Sequence, residues 1–225
     1  AEGYDLLGLI TGSEGLLCVI TEVTVKILKK PQTIKATLIG FPTIEDSGNC
    51  VSEIISNGII PAGMEMMDRA LIHATDNFVK AGYPKDAEAM LIIELDGIET
   101  EVEELFKKVS KIAKKNKSSS IKISKNEKQR LKFWAGRKAA FPACGDLAPD
   151  YYCMDGTIPR RKLAEVLKEI GRLSKKYNLP VANAFHAGDG NLHPLIMYDA
   201  NKKNSLEKTE KFGADILKYC VKVGG

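Results

Sequence analysis

The sequence predicts an α+β fold built on an antiparallel sheet with helices packed on one face. Strand-type and helix-type periodicities alternate from residue 33 to the end of the chain. The last two strand patterns flank Asp189-Gly190, a pair that favours a two-residue hairpin turn. The polar strand "SSSIKISK" is typical of a sheet edge open to solvent. No strand pattern is followed by a glycine-rich phosphate loop of GxGxxG or GxxxxGKS/T spacing, so a doubly wound parallel sheet is the less favoured alternative.

The first predicted element is a half-buried strand over residues 16–28. This stretch is rich in β-branched residues, and from Ile20 onward it alternates apolar with polar residues. Pro31 interrupts the pattern, and we place a domain boundary there. We therefore expect residues 1–31 to end one domain and residues 32–225 to form a second.

The remaining elements are marked by their caps and periodicities. Thr43 and Asp68 are N-cap residues, Gly58 is a helix stop, and Pro159 suits a first helical position. The helix over 99–116 has its acids at the start and its lysines at the end, which complements the helix dipole. Strands are predicted at 33–41, 62–67, 88–97, 118–125 and 151–157, with two more within 180–199, and helices at 43–58, 68–82, 99–116, 126–141, 159–178 and 204–222.

Composition indicates an ordinary globular protein from a reducing compartment. The chain has 225 residues, of which 44% are hydrophobic and 28% charged, and its net charge is +4. We predict no signal peptide, and no run approaches the ~18 apolar residues of a membrane span. The five cysteines are scattered without CxxC spacing, which favours reduced thiols and a cytoplasmic location over a disulfide or zinc framework. Because it starts without Met and stops at "KVGG", we expect a piece of a longer protein.

The basic stretch over residues 107–132 has almost no acidic residues. Nucleic-acid binding is one interpretation of it, but aromatic residues are missing until Phe133 and Trp134. A solvated surface is the more common role of such lysine runs. We therefore predict no nucleic-acid partner.

The stretch "HAGDGNLH" is the candidate site that the residues themselves indicate. A type I′ turn at Asp189-Gly190 would set His186 directly opposite His193, with Cβ atoms about 4.5–5.5 Å apart. Two imidazoles so placed can ligate one metal ion at about 2.0–2.1 Å. They can equally stack or bond to the backbone. Asp189 lies at the tip of the predicted turn, where it is badly placed to be a third metal ligand, and spacing identifies no other candidate.

Four motifs in this order resemble a known family. They are "GSEGLLCVITEVTVKIL" (12–28), "FWAGRKAAF" (133–141), "YYCMDGTIPRRKL" (151–163) and "HAGDGNLHP" (186–194). The same segments occur in the same order in the FAD-linked 2-hydroxy-acid oxidoreductases of the vanillyl-alcohol-oxidase superfamily, which this chain therefore resembles. That family includes glycolate oxidase flavin subunits and D-lactate dehydrogenases. The resemblance implies that residues 1–31 end an FAD-binding domain. It also implies that residues 32–225 are a ferredoxin-like cap domain, truncated at its C-terminus.

The resemblance also implies roles for individual residues. The flavin would be contacted by Gly12, Ser13, Glu14, Gly15, Ile20 and Asn191. Arg137, with Trp134 one turn earlier, would hold the substrate carboxylate, because a guanidinium forks two hydrogen bonds onto it. His186 and His193 would be catalytic residues and ligands of zinc or a similar divalent metal. The third ligand and the general base would lie in a Gly-Glu-His-Gly segment beyond Gly225.

This sequence departs from the family pattern at several positions. Leu16 and Cys18 replace the usual Thr and Gly, and Lys138 replaces a residue that is often acidic. Cys153 stands where some relatives have a lysine, which favours a small monocarboxylate over a dicarboxylate.

The implied reaction oxidises a small 2-hydroxy acid to the 2-oxo acid and passes electrons to another subunit or acceptor. We expect the isolated chain to be inactive. Two alternatives stay open: a non-enzymatic α+β binding module, and a metal-dependent hydrolase that uses the same histidines.

Overall fold

The computed structural model describes residues 3–225, which form two units divided between Lys30 and Pro31. The first unit contains one short helix, α1 (Leu6–Ile10), whose N-terminus is capped by the Asp5 side chain. The prediction of a strand over residues 16–28 is wrong, since the described residues of this unit contain no strand. Alternation alone does not make a strand, because its backbone N–H and C=O groups need a partner strand. The apolar side chains of residues 16–28 are largely exposed.

The second unit contains all the strands and the remaining helices of the described chain. The strands are β1 (Thr33–Phe41), β2 (Gly63–Asp68), β3 (Ala89–Gly97), β4 (Ser120–Ile123), β5 (Asp150–Cys153), β6 (Gly156–Thr157), β7 (Val181–His186) and β8 (Asn191–Tyr198). The helices are α2 (Ile44–Ser56), α3 (Arg69–Val79), α4 (Glu99–Lys115), α5 (Glu127–Lys138), α6 (Ala140–Ala143), α7 (Leu163–Tyr177) and α8 (Ser205–Lys222). In this unit every predicted helix and strand is confirmed within a few residues.

Three predicted elements differ in their boundaries. The helix over 126–141 ends at Lys138, and a separate short helix, α6, follows at Ala140–Ala143. The strand over 151–157 is divided into β5 and β6. The helix expected to start at Pro159 begins at Leu163, after a 3₁₀ turn over Arg160–Lys162. Pro159 has a ψ of 127°, so it precedes the helical region.

The strands form one antiparallel sheet in the order β4-β1-β3-β2-β7-β8-β5, and β6 pairs with β8. The first four strands have the 4-1-3-2 order of a ferredoxin-like arrangement, in which a neighbouring strand splits each βαβ crossover. The α+β class and the antiparallel sheet are therefore confirmed. The polar strand β4 lies at one edge, as its composition indicated.

Helices cover both faces of this sheet, whereas the prediction packed them on one. One apolar cluster joins alternate residues of β3 to α2, α4, α7 and α8, and the other joins the intervening residues of β3 to α3, α5 and α6. Leu91, Ile93 and Leu95 belong to the first cluster, and Met90 and Ile92 belong to the second. A strand that is apolar on both faces leaves neither face stable in water, so both must be covered.

The ladder between β2 and β7 is short and joins two parts of the sheet. Its paired residues are Met66 with Phe185 and Met67 with Ala184. On one side of this ladder lie β4, β1, β3 and β2, and on the other lie β7, β8 and β5. No helix of the described residues is both long and apolar enough to cross a membrane.

Candidate active site

The loop between β7 and β8 has a different register from the predicted one. His186 pairs with Asn191, and His193 pairs with Ala184, so the predicted direct pairing of the two histidines is wrong. A type I′ turn needs positive φ at both central residues, but within the loop only Gly190, at +79°, has it. The loop therefore spans the four residues 187–190.

Neighbouring segments hold this loop in its four-residue form. The N–H of Gly188 donates to the carbonyl of Met64 on β2 at 3.0 Å. The carbonyl of Gly190 accepts from the N–H of Ile158 at 2.9 Å. A β-carbon at position 190 would meet the Ile158 carbonyl, so glycine is needed both for the positive φ and for this close approach.

The two histidines nevertheless lie side by side, because a register shift of two residues keeps both on the same face of the sheet. They are diagonal cross-strand neighbours rather than direct ones. The imidazole centroids are 4.9 Å apart, and the rings meet edge to face at 85°. The two rings are therefore close together, as expected, although the strand register that brings them together differs from the predicted one.

A carboxylate lies against the Nδ1 atom of each ring. His186 Nδ1 is 2.8 Å from Glu65 Oε1, and His193 Nδ1 is 2.7 Å from Asp155 Oδ1. The Nε2 atom of each ring has no hydrogen-bond partner among the described residues. Burial lowers the pKa of His193 below its ordinary value, although the Asp155 charge opposes this, so His193 is neutral at pH 7 and can act as a ligand.

Arg137 is joined to His186 through the same glutamate. Its Nε donates to Glu65 Oε2 at 3.0 Å, and both residues are almost fully buried. The two Nη atoms of Arg137 have no partner among the described residues, so they can donate to an anion. The structure thus brings together Arg137, His186 and His193, which the sequence nominated separately.

Sequence reasoning did not identify Glu65. The available signal was a single acid within the otherwise uncharged strand pattern "AGMEMM". An isolated charge in a buried strand indicates a partner, but the pattern does not say which one.

The helix α5 that carries Arg137 is fixed to the sheet by polar contacts in addition to its buried Phe133. Glu94 Oε2 on β3 accepts from Trp134 Nε1 at 2.5 Å and from Arg130 Nη1 at 2.6 Å. Asn126 caps the helix by accepting from the Gln129 N–H at 2.9 Å. These contacts join the earlier turns of the helix to the sheet, whereas Arg137 lies in its last turn.

The chemistry of this site fits a divalent cation, although the described residues contain no cluster of three or more His, Cys, Asp or Glu side chains arranged as a metal site. Metal-ligating histidines commonly donate their other ring N–H to a carboxylate, as the Nδ1 contacts allow here. Asn191 lies on the same face, and its buried Oδ1 lacks a hydrogen-bond partner in the described part of the chain. Such an atom suits an incoming ligand.

The other residues implied to contact the flavin lie in the first unit. Gly12, Ser13, Glu14 and Gly15 form a turn in which Gly12, Glu14 and Gly15 have φ of +80°, +50° and +79°. Ile20 follows and is 60% exposed. Glycines in this turn would let a cofactor approach the backbone closely.

Fold and site together define an α+β domain in which a buried guanidinium, a glutamate and two imidazoles lie in one site. Similar solved structures are alkyldihydroxyacetonephosphate synthase, with a TM-score of 0.71 and 18% identity over 100% of this chain and 45% of that one, and p-cresol methylhydroxylase, with a TM-score of 0.63 and 14% identity over 84% and 43%. At these identities the likeness concerns the fold.

The match to a family model is more specific. Residues 30–225 match the C-terminal domain of the FAD-linked oxidases, and the chain belongs to that family. It is 54% identical to "Glycolate oxidase subunit GlcD" of Escherichia coli K12 over 223 residues, and 35% identical to the protein of that name from Bacillus subtilis. It is 30% identical to "D-lactate dehydrogenase [cytochrome], mitochondrial" of Arabidopsis thaliana. The chain spans about half the length of these relatives, from 40% to 47%.

Proposed function

We propose that this chain is the substrate-binding part of an FAD-dependent oxidoreductase that converts a small 2-hydroxy acid, of the glycolate or D-lactate type, to the 2-oxo acid. The names of its relatives support this reaction class. The observation that carries it is Glu65, which contacts both Arg137 and His186 and so brings an anion-binding group and an imidazole pair into one site. A 2-hydroxy acid has a carboxylate and an adjacent hydroxyl that match these two groups.

In the proposed reaction Arg137 binds the substrate carboxylate through its two Nη atoms. The carboxylate thereby fixes C2 and its hydroxyl relative to His186 and His193. FAD would supply the hydride acceptor, and a divalent metal such as zinc, which His186 and His193 would hold, would supply a Lewis acid that lowers the pKa of the substrate hydroxyl. Near-complete burial of Arg137 excludes water and strengthens its hold on the carboxylate.

The electrons then leave for an acceptor, which we propose to be another subunit or a separate carrier. The word "subunit" in the names of the GlcD relatives supports an assembly. All five cysteines are free, which supports the proposed cytoplasmic location.

The test uses the protein expressed in full from the open reading frame that contains this chain. Glycolate, D-lactate and L-lactate are each supplied with an electron-accepting dye, and turnover is measured. Arg137→Lys keeps the charge but loses the planar fork, so kcat/KM should fall about 10- to 100-fold. A yellow protein that oxidises none of these acids, or an Arg137→Lys variant with unchanged kcat/KM, would contradict the proposal.

Arg130→Lys is the matched control for this experiment. Arg130 lies two turns earlier on α5 and pairs with Glu94 and Glu127, away from the histidines. We expect its kcat/KM to stay within about threefold of the parent value.

A further inference from the structure

We propose that Glu65 is a positioning residue that fixes the tautomer of His186 and the orientation of Arg137 with one carboxylate. This inference rests on the proposed function, because it assigns Glu65 a role toward the groups that would bind metal and substrate. Glu65 Oε1 lies 2.8 Å from His186 Nδ1, and Glu65 Oε2 accepts from Arg137 Nε at 3.0 Å. Each oxygen thus serves a different partner.

An ionised carboxylate accepts hydrogen bonds and donates none. Its contact with His186 therefore requires the proton to be on Nδ1, which leaves the lone pair of Nε2 available for a metal ion. The guanidinium of Arg137 only donates, so the second oxygen orients it without competition. One side chain thereby sets both groups in their binding-competent states.

The position of Glu65 makes this arrangement rigid. It lies on β2, which is paired on both sides, with Ile92 of β3 as its direct ladder partner. The carbonyl of the preceding residue, Met64, accepts from the N–H of Gly188 in the loop after His186. The backbone therefore fixes the strand carrying Glu65 to the loop that follows His186, and the side-chain contact is supported by a second link.

Glu65→Gln is a sharp test because glutamine has one acceptor and one amide donor. Arg137 Nε always donates, so it takes the glutamine oxygen and leaves the amide facing His186 Nδ1. To avoid two opposed donors, His186 must move its proton to Nε2. That atom is then blocked for metal binding until the proton is lost.

The matched control is Glu94→Gln. Glu94 lies on the neighbouring strand β3, opposite Gly63, and holds Arg130 and Trp134 of the same helix α5. It therefore tests the docking of α5 without contact to either histidine. Its effect separates a general loosening of the helix from the proposed positioning of His186.

The first measurement is the tautomer of His186 in the metal-free, full-length protein, from ¹⁵N chemical shifts of labelled imidazoles at about pH 8. We expect the Nδ1–H tautomer in the parent and in Glu94→Gln, and the Nε2–H tautomer in Glu65→Gln. An Nε2–H tautomer in the parent protein, which needs no variant to fold, would overturn the proposal.

The second measurement is the dissociation constant of Co²⁺ from a titration of each metal-free protein. We expect it to rise about 10- to 100-fold in Glu65→Gln and to stay within about threefold in Glu94→Gln. Equal losses in both variants would show a structural role only and overturn the positioning role. Failure of the parent protein to bind Co²⁺ or to oxidise any 2-hydroxy acid would instead refute the proposed function, while the tautomer measurement still decides the role of Glu65.

Discussion

Replacing Asp68 with asparagine should stabilise the protein at neutral pH and remove part of its pH dependence. Asp68 ends β2 and caps α3, and its carboxyl is buried. Burial raises its pKa from 3.8 to about 6, although the Leu71 N–H and the Asn183 amide donate to it and oppose the shift.

The sign and size of the effect follow from this shift. Below about pH 3.8 the carboxyl is protonated in both the folded and the unfolded chain. Between about 3.8 and 6 the unfolded chain releases its proton while the folded chain keeps it, so the free energy of unfolding falls as pH rises. Above about pH 6 the loss is complete and amounts to about 3 kcal/mol.

Asparagine cannot ionise, and its oxygen can still accept from the Leu71 N–H. Its amide can donate to Asn183 Oδ1, which is buried without a partner among the described residues. The free energy of unfolding is measured by urea titration, monitored by the fluorescence of Trp134, at intervals from about pH 3.5 to 7. The difference between Asp68→Asn and the parent should rise from near zero to about 3 kcal/mol over this range.

Asp76→Asn is the control with the opposite sign. Burial acts to raise the pKa of Asp76, but N–H donation from Tyr83 and Gly82 and the ammonium of Lys85 outweigh it and lower the pKa. This variant should lose stability near pH 7, and the loss should shrink as the pH falls. A flat difference curve for Asp68→Asn, or a lower stability than the parent at pH 7, would refute the reasoning.

Four further substitutions have expected outcomes. Gly136→Ala should lower the free energy of unfolding by about 1–3 kcal/mol in urea titrations, because the new methyl group overlaps the Tyr83 ring. Gly171→Ala, in open space on α7, should raise the free energy of unfolding by about 0.5–1 kcal/mol. Equal effects of the two substitutions would contradict this reasoning. Gly190→Ala should lower the melting temperature, since position 190 has a φ of +79° and faces a backbone carbonyl. His193→Ala should abolish metal retention in elemental analysis of the full-length protein, and full retention would make the histidine pair structural.

The fold was predictable where local pattern determines it. The acids and lysines at opposite ends of α4, and the caps Thr43 and Asp68, placed their helices correctly. The strand over 16–28 was not predictable, because alternation describes a surface and does not supply a partner strand. Coverage of both faces was implicit in the continuous apolar run of β3, which serves two cores.

The candidate site was predictable in part. The spacing of His186 and His193 correctly indicated one shared face, but contacts from Met64 and Ile158 to the loop shifted the register by two residues. Those contacts join distant parts of the chain and leave no local pattern. Glu65 was missed for the same reason, since it contacts His186 across 121 residues of sequence.

The short ladder between β2 and β7 places the candidate site at the junction of the two parts of the sheet. Glu65 lies on β2 and contacts Arg137 of α5, while His186 and His193 belong to the strands β7 and β8 on the other side of the ladder. A substrate held by Arg137 on one side and by the histidines on the other would therefore join these two parts of the sheet across a ladder of only two residue pairs. Substrate binding should therefore slow amide hydrogen exchange along β2 and β7, at positions that do not themselves contact the substrate.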